Sequence, residues 1–197
     1  QESYFRSGAT LDVRTRKANL VAFEKAVLKW EKPLCEALWK DLHKSYEESY
    51  IAEVSILLGE IRTHIRNVGK WTRPQRRPTP MKLFPSRSKI ISEPLGTALI
   101  ISPWNYPVQL LLTPLVGVIS SGCTAVLKPS PYVPEVSEVI EKMIQDTFPE
   151  EYVAVVQGDR DVNTALLEQR WDMIFFTGSS SFGRAVMAAA AKNLTPV

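Results

Sequence analysis

The chain has 197 residues, 45% of them hydrophobic, and a formal net charge of +3. This length is sufficient to bury a sizeable core in one domain or two. No apolar run approaches the roughly 20 residues of a membrane span, and no charged segment leads into an apolar one as in a secretion signal. We therefore expect no membrane contact and a cytoplasmic location.

Residues 12–71 carry the periodicity of helices. Leu20, Phe23 and Val27 fall on one helical face, and Pro33 is expected to begin a second helix because proline suits the first turn. In a third helix apolar residues recur at steps of three and four and form one stripe: Ile51, Val54, Leu58, Ile61, Ile65 and Val68. Such a stripe predicts packing against a core and no chemistry.

Residues 72–94 differ in composition from the helical part. Before its last residue, Pro94, the segment contains four prolines, Pro74, Pro78, Pro80 and Pro85, which exclude a helix. It also contains six basic residues: Arg73, Arg76, Arg77, Lys82, Arg87 and Lys89. A basic stretch can contact phosphates, but this one lacks the aromatic interleaving of a nucleic-acid site, with Phe84 alone among its cations. We expect a solvated, extended connector and no nucleic-acid partner.

From residue 95 onward, strands and helices alternate, which predicts a doubly wound parallel sheet. The predicted strands are Thr97–Ser102, Thr124–Lys128, Tyr152–Val156 and Met173–Phe176, and the predicted helices are Val108–Ser120, Pro134–Phe148, Val162–Gln169 and Ser180–Lys192. Right-handed crossovers place the carboxyl ends of all four strands at one edge. That edge is expected to collect Asn105, Lys128, Gly158 and Gly178.

The first strand ends in a loop bounded by two prolines, Ser102-Pro103-Trp104-Asn105-Tyr106-Pro107. The side-chain amide of Asn105 can donate a hydrogen bond to an oxyanion. An ordinary turn asparagine explains the same residue equally well on this segment alone.

The second strand ends in Lys128-Pro129-Ser130-Pro131. The Lys128 ammonium and the Ser130 hydroxyl can donate to ribose oxygens or to a 2′-phosphate, at the strand end where dinucleotide folds bind the ribose. The alternative for Lys128 is a solvated lysine at a strand end. Gly158, after the third strand, either passes close to an adenine or simply permits a tight turn.

The fourth strand ends in Thr177-Gly178-Ser179. Gly178 permits close backbone approach, and Ser179 opens a helix whose free N–H groups suit a pyrophosphate. A turn glycine and an ordinary helix cap are the alternatives. The spacing from Gly178 to Gly183 is that of a P-loop, but Arg184-Ala185 replaces the required Lys-Ser/Thr, so a P-loop nucleotidase is not indicated.

Taken in order, these strand ends resemble the signatures of the aldehyde dehydrogenase superfamily, Pro-Trp-Asn-Tyr-Pro, Leu-Lys-Pro-Ser and Phe-Thr-Gly-Ser followed by a second glycine. The resemblance runs from about Thr10 to Val197 and is closest to the class 3-like branch. It implies that the chain is the N-terminal part of one NAD(P)-binding domain: residues 1–71 helical, 72–94 an extended connector, and 95–197 a Rossmann-like sheet truncated before the catalytic domain. The general-base glutamate and the nucleophilic cysteine are then expected beyond Val197, so this chain alone should be inactive.

The same resemblance implies NAD(P)-dependent oxidation of a small-molecule aldehyde to a carboxylic acid through a thiohemiacetal, hydride transfer and thioester hydrolysis. Asn105 would stabilise the oxyanion. The implied cofactor-binding residues are Ser102, Pro103, Trp104, Lys128, Ser130, Gly158, Gly178 and Ser179. NAD or NADP is expected, because Pro131 replaces the glutamate that is common in the family. A homodimer is implied for the full-length form.

A second hypothesis is a non-catalytic nucleotide-binding or interaction protein, which would apply if Val197 were the natural end of the chain. Cys35 and Cys123 are expected to be small core residues, and Cys123 is rejected as a nucleophile because it leads into the second strand. His43 and His64 are isolated, so no metal site is expected.

Overall fold

The computed structural model describes residues 1–197. The N-terminal part, up to residue 71, consists of α1 (Glu2–Arg6), α2 (Val13–Leu42), α3 (Tyr46–Ser49), a π-helical turn (Tyr50–Val54) and α4 (Ser55–Trp71). The side chain of Asp12 caps α2 by accepting a hydrogen bond from the Arg14 N–H, and His43 ends it in the left-handed conformation. None of the helices combines the length and the apolar character that a membrane span requires.

Helix α2 continues through Pro33, so the prediction that Pro33 begins a second helix is wrong. An internal proline costs about 3 kcal/mol in a helix. Leu34 and Leu38, which follow it, are fully buried in the main core. Burial of each contributes about 1.5–3 kcal/mol, which outweighs the cost of the proline.

The predicted stripe of the third helix holds for Val54, Leu58, Ile61 and Val68, which are buried, but not for Ile51, which is 66% exposed. The π-helical turn over residues 50–54 inserts an extra residue and rotates the preceding side chains relative to those of α4. Leu57, outside the predicted stripe, is fully buried instead.

Within the segment 72–94, residues 75–90 form a hairpin. Strands β1 (Gln75–Arg77) and β2 (Ser88–Ile90) pair antiparallel, with a short 3₁₀ turn at Met81–Leu83 between them. Met81 and Phe84 at the tip are 94% and 87% exposed. The hairpin therefore presents apolar side chains as well as cations to its surroundings.

The remaining elements are β3 (Thr97–Ile101), α5 (Pro107–Ser121), β4 (Thr124–Lys128), α6 (Pro134–Thr147), β5 (Val153–Val155), α7 (Arg160–Glu168), β6 (Met173–Phe176) and α8 (Ser180–Ala191). The four strands form a parallel sheet in the order β5-β4-β3-β6. This confirms the predicted doubly wound α/β fold with N-terminal helices. The chain changes direction across the sheet between β3 and β6, and that switch point is where open α/β sheets bind ligands.

Successive residues of β3 point to opposite faces of the sheet. Ala98 and Ile100 belong to the main core with α2, α4, α5 and α6, whereas Leu99 and Ile101 pack on the opposite face against α8. Because both faces are covered, β3 is buried at every position. The strand is thereby a rigid support for the loop that follows it.

Candidate functional site

A cleft of about 570 Å³ lies at the carboxyl ends of β3, β4 and β6. Its size is in the range of small-molecule and cofactor sites, roughly 300–1,000 Å³. The predicted site residues that line it are Ser102, Pro103, Trp104, Lys128, Ser130, Gly178 and Ser179. The fold therefore brings three strand ends that are distant in sequence to one cavity.

Lys128, the last residue of β4, is only 1% exposed, so it is not the solvated lysine of the alternative interpretation. The only hydrogen bond of its ammonium group goes from Nζ to the carbonyl oxygen of Pro129, at 2.8 Å. Burial lowers the pKa of Lys128 below its ordinary value, and the charge of Asp159 partly opposes this shift. Lys128 thus lines the cleft with an ammonium that has N–H donors not used in hydrogen bonds within the chain.

Two buried polar atoms of the cleft lack a hydrogen-bond partner. These are the Ser102 hydroxyl at the end of β3 and the Asn163 side-chain oxygen on α7. An unpartnered buried polar group costs about 1–3 kcal/mol, so such atoms are rare in folded proteins. Both residues line the same cleft, which fits a polar ligand that supplies the missing partners.

Ser130 is buried, and its hydroxyl oxygen accepts a hydrogen bond from the Tyr132 N–H at 3.3 Å. This contact orders the loop after β4. The hydroxyl proton of Ser130 is not used in it and can be donated to a ligand.

At the end of β6, Ser179 caps α8, since its hydroxyl accepts a hydrogen bond from the Phe182 N–H at 3.4 Å. A Cβ on Gly178 would lie 2.6 Å from the ring of Phe176, so glycine is required here for space. Ser179 is thus a helix cap, as its alternative interpretation has it. It also lines the cleft, so the positive end of α8 lies there.

The structure does not bring Asn105 and Gly158 into this cleft. Asn105 is exposed just beyond it, and its backbone oxygen accepts a hydrogen bond from Lys44 Nζ at 2.7 Å. Gly158 has a φ of +139°, and a Cβ there would lie 2.4 Å from Val162. The turn before α7 and its packing are sufficient to explain Gly158.

Sequence reasoning missed other residues of the region. Arg160 and Asn163 line the cleft from the first turns of α7. Lys44 and Glu53 form a buried ion pair that contacts the Asn105 loop and the start of α5. The turn at Gly158-Asp159 was a usable signal for Arg160, because residues that begin a helix after a strand reach the same edge of the sheet.

Both cysteines are buried free thiols, and neither lines the cleft. Burial raises the pKa of Cys35 to about 11, with nearby Glu31 adding to the shift. No group of three or more histidine, cysteine, aspartate or glutamate side chains in the structure is arranged to hold a metal ion.

We expect Cys35 to resist alkylation in the folded protein at pH 8. Only the thiolate reacts, and a thiol with a pKa of about 11 is about 0.1% ionised at that pH. Labelling with iodoacetamide, followed by mass spectrometry, should accelerate by roughly a hundredfold or more after denaturation, because the unfolded thiol has a pKa of about 8.5. Equal labelling rates in both states would contradict this prediction.

The sheet order, the cleft at its switch point and the helix N-terminus at the end of β6 define a nucleotide-binding α/β fold. A protein-family model described as "Aldehyde dehydrogenase family" matches residues 2–197, so the chain belongs to the aldehyde dehydrogenase family. This confirms the resemblance inferred from the three strand ends.

Individual relatives agree with this assignment. The chain is 40% identical to the 4,4'-diaponeurosporen-aldehyde dehydrogenase of Staphylococcus aureus, over 100% of the chain and 43% of the relative. It is also 40% identical to aldehyde dehydrogenase family 3 member F1 of Arabidopsis thaliana, over 98% of the chain and 40% of the relative. The chain thus spans about two-fifths of the length of these relatives, and the second belongs to the expected class 3-like branch.

Solved structures show the same fold. The substrate-bound state of a Staphylococcus aureus AldH superposes with a TM-score of 0.97 at 40% identity, covering 100% of the chain and 43% of that protein. A betaine aldehyde dehydrogenase from Staphylococcus aureus in complex with NAD+ superposes with a TM-score of 0.87 at 26% identity, covering 99% of the chain and 39% of that protein.

Proposed function

We propose that the enzyme containing this chain is an NAD(P)-dependent aldehyde dehydrogenase that oxidises an aldehyde to a carboxylic acid. In this proposal, residues 95–197 bind the cofactor and Asn105 acts on the substrate. The observation that carries the proposal is the cleft at the switch point, which is lined by the buried Lys128 and by two residues with unpartnered polar atoms, Ser102 and Asn163. The betaine aldehyde dehydrogenase that resembles this chain was solved with NAD+.

The residues present fit such a dinucleotide. Lys128 and Ser130 would donate to the adenosine ribose, and the N-terminus of α8 at Gly178 and Ser179 would hold the pyrophosphate. Ser102, Pro103 and Trp104 would border the nicotinamide. Gly158 would act through the turn that brings α7 to the cleft. A dinucleotide held by these residues would supply the hydride acceptor for the oxidation.

Asn105 would supply a side-chain amide donor to the oxyanion of the reacting aldehyde. Its side chain is exposed and makes no hydrogen bond within the chain, so its amide protons are available. The loop that carries it follows the fully buried strand β3 and is held on the other side by α5. A donor fixed between two packed elements is what stabilisation of a developing charge requires.

A homodimer is also part of this proposal. The hairpin of residues 75–90 exposes Met81 and Phe84, and exposed apolar side chains of this size are typical of contacts between subunits. The cytoplasmic location and the lack of membrane or nucleic-acid partners stay predictions.

The proposal is tested by incubating the purified enzyme with aldehydes of increasing chain length and either cofactor. Formation of reduced cofactor, in a one-to-one ratio with carboxylic acid, is the expected result. Cofactor binding without turnover of any aldehyde would favour the alternative of a non-catalytic nucleotide-binding protein. The 197 residues by themselves are expected to give no turnover, since their two thiols are buried away from the cleft.

We expect Pro131→Glu to lower the ratio of kcat/KM for NADP to that for NAD. Pro131 lines the cleft beside Lys128, so a carboxylate there would repel a 2′-phosphate. Two like charges at about 4 Å cost on the order of 1 kcal/mol or more, which corresponds to at least about a fivefold change in the ratio. Pro131→Gln is the control, because it removes the proline and adds the same bulk without charge. An unchanged ratio in the glutamate variant would show that this position does not face the ribose.

A further inference from the structure

A buried ion pair joins the N-terminal helices to the loop of Asn105. Lys44 lies just after α2, and its Nζ is 2.7 Å from the Oε1 of Glu53 in the π-helical turn. The Lys44 side chain is 10% exposed and that of Glu53 is completely buried. The other ion pairs between side chains on different elements are considerably more exposed.

One member of this pair also contacts the Asn105 loop, and the other contacts the first turn of α5. Lys44 Nζ donates a hydrogen bond to the backbone oxygen of Asn105 at 2.7 Å and lies 4.0 Å from the centre of the Tyr106 ring. The second carboxylate oxygen of Glu53 accepts the N–H groups of Val108 and Gln109, at 2.8 and 3.2 Å. Both ends of the segment 105–109 are therefore tied to one pair of charges.

Glu53 takes the place of a local helix cap. Tyr106 occupies the N-cap position of α5 and provides no capping hydrogen bond from its side chain. The first turn of a helix has free N–H groups and a positive dipole end, which a carboxylate satisfies. In α5 that carboxylate comes from a residue 55 positions earlier in the chain. The orientation of α5, and with it the end of the Asn105 loop, thus depends on the N-terminal helices.

The backbone conformation around Glu53 allows its side chain to reach α5. The π-helical turn over residues 50–54 turns Glu53 into the core, while neighbouring Ile51 is 66% exposed. Such insertions occur often at functional sites. A buried ion pair is a poor source of stability, because desolvation of the two charges offsets most of their attraction. The hydrogen bonds of this pair instead fix the position of the Asn105 backbone, and Asn105 is the residue proposed to contact the substrate.

We propose that Lys44 and Glu53 are positioning residues of the reaction: they hold the backbone of Asn105 and the start of α5 so that the Asn105 amide faces the developing oxyanion. This inference rests on the proposed role of Asn105. It assigns a catalytic contribution to the N-terminal helices, whose sequence pattern predicts packing alone.

The test uses the complete enzyme and the variant pair Lys44→Met with Glu53→Gln. Together these substitutions remove both charges, so no unpaired charge is left in the core, and the glutamine oxygen can still accept from α5. The donor to the Asn105 oxygen is lost. We expect kcat to fall by at least about tenfold, since displacements of about 1 Å cost rates of this order, with KM for the cofactor within about twofold. Lys40→Met with Glu135→Gln, at an exposed ion pair between α2 and α6, is the matched control and should leave kcat unchanged.

A double-mutant cycle separates positioning from general stability. If the pair acts through Asn105, adding Lys44→Met and Glu53→Gln to Asn105→Ala should lower kcat by less than about twofold further. A drop of equal size in both backgrounds would overturn the positioning role while leaving the proposed function intact. If Asn105→Ala alone left kcat unchanged, the proposed role of Asn105 would fail, and the inference with it. Faster amide exchange at residues 105–109 in the charge-free variant is a further expected result, and unchanged exchange there would also count against the inference.

Discussion

In the enzyme that contains this chain, Asn105→Ala is expected to lower kcat by roughly 10²-fold or more while KM for the cofactor stays within about twofold. In its proposed role, the side-chain amide acts on charge that develops only in the transition state, so its removal weakens binding of the transition state more than binding of the substrate. Asn105 does not line the cleft proposed to bind the cofactor, which is why cofactor affinity should be unaffected. Steady-state kinetics with the aldehyde and the cofactor varied separately give both quantities.

Two further variants sharpen this result. Asn105→Asp keeps the shape of the side chain but removes the donor and adds a charge that repels an oxyanion, so kcat should fall at least as far. Asn193→Ala, at an exposed asparagine after α8, is the control for loss of an amide elsewhere. An unchanged kcat with a raised KM for the cofactor would instead make Asn105 a cofactor contact.

The parts of the fold that were predictable are those set by local sequence. The strands Thr124–Lys128 and Met173–Phe176 have the predicted bounds, because each is a short run that turn-forming residues follow: Pro129 after the first, and Thr177-Gly178 after the second. Parallel order then follows from the alternation of strands with helices, and it places the strand ends at one edge. The cleft is the direct consequence, so most of its walls could be predicted.

The errors occur where packing between distant elements overrides a local preference. Proline ends most helices, but the buried residues after Pro33 keep α2 continuous. Regular spacing predicts that Ile51 faces the core, but a single inserted residue in the π-helical turn turns it outward. Neither feature has a distinct signal in the sequence, since both depend on contacts with residues far along the chain.

Contacts between distant elements also explain why the roles of Lys44 and Glu53 could not be predicted from the sequence. Lys44 and Glu53 lie in a helical region whose pattern indicates packing only, and their contacts with the Asn105 loop and with α5 span more than 50 positions. The burial of Lys128 could not be predicted either. The sequence of a strand that ends in lysine is the same whether the ammonium is solvated or buried. Burial of the Lys128 ammonium depends on how the elements around the strand end pack.

Because Lys128 is buried at the cleft, we expect its replacement to cause a large loss of cofactor affinity. We expect Lys128→Met to weaken both cofactors and to weaken NADP more, because the methionine fills the same space without the ammonium. A hydrogen bond from a charged donor contributes about 1.5–3 kcal/mol, which corresponds to a loss of about 10- to 100-fold in affinity. Lys128→Ala should lose at least as much and should also lower thermal stability, since it leaves a cavity where the methionine does not.

The lowered pKa of Lys128 adds a pH dependence to the affinity for NADP. Burial favours the neutral amine, so the ammonium loses its proton at a lower pH than an ordinary lysine does. Attraction to a 2′-phosphate should therefore be complete below the lowered pKa and disappear as the pH rises through it. Calorimetric titration of NAD and NADP across alkaline pH should show NADP affinity falling faster in the wild-type enzyme, and the two cofactors falling in parallel in the methionine variant. If the methionine variant kept wild-type affinity for NADP, Lys128 would not contact the 2′-phosphate, and the selectivity for this cofactor would have to come from another cation of the cleft, of which Arg160 is the candidate.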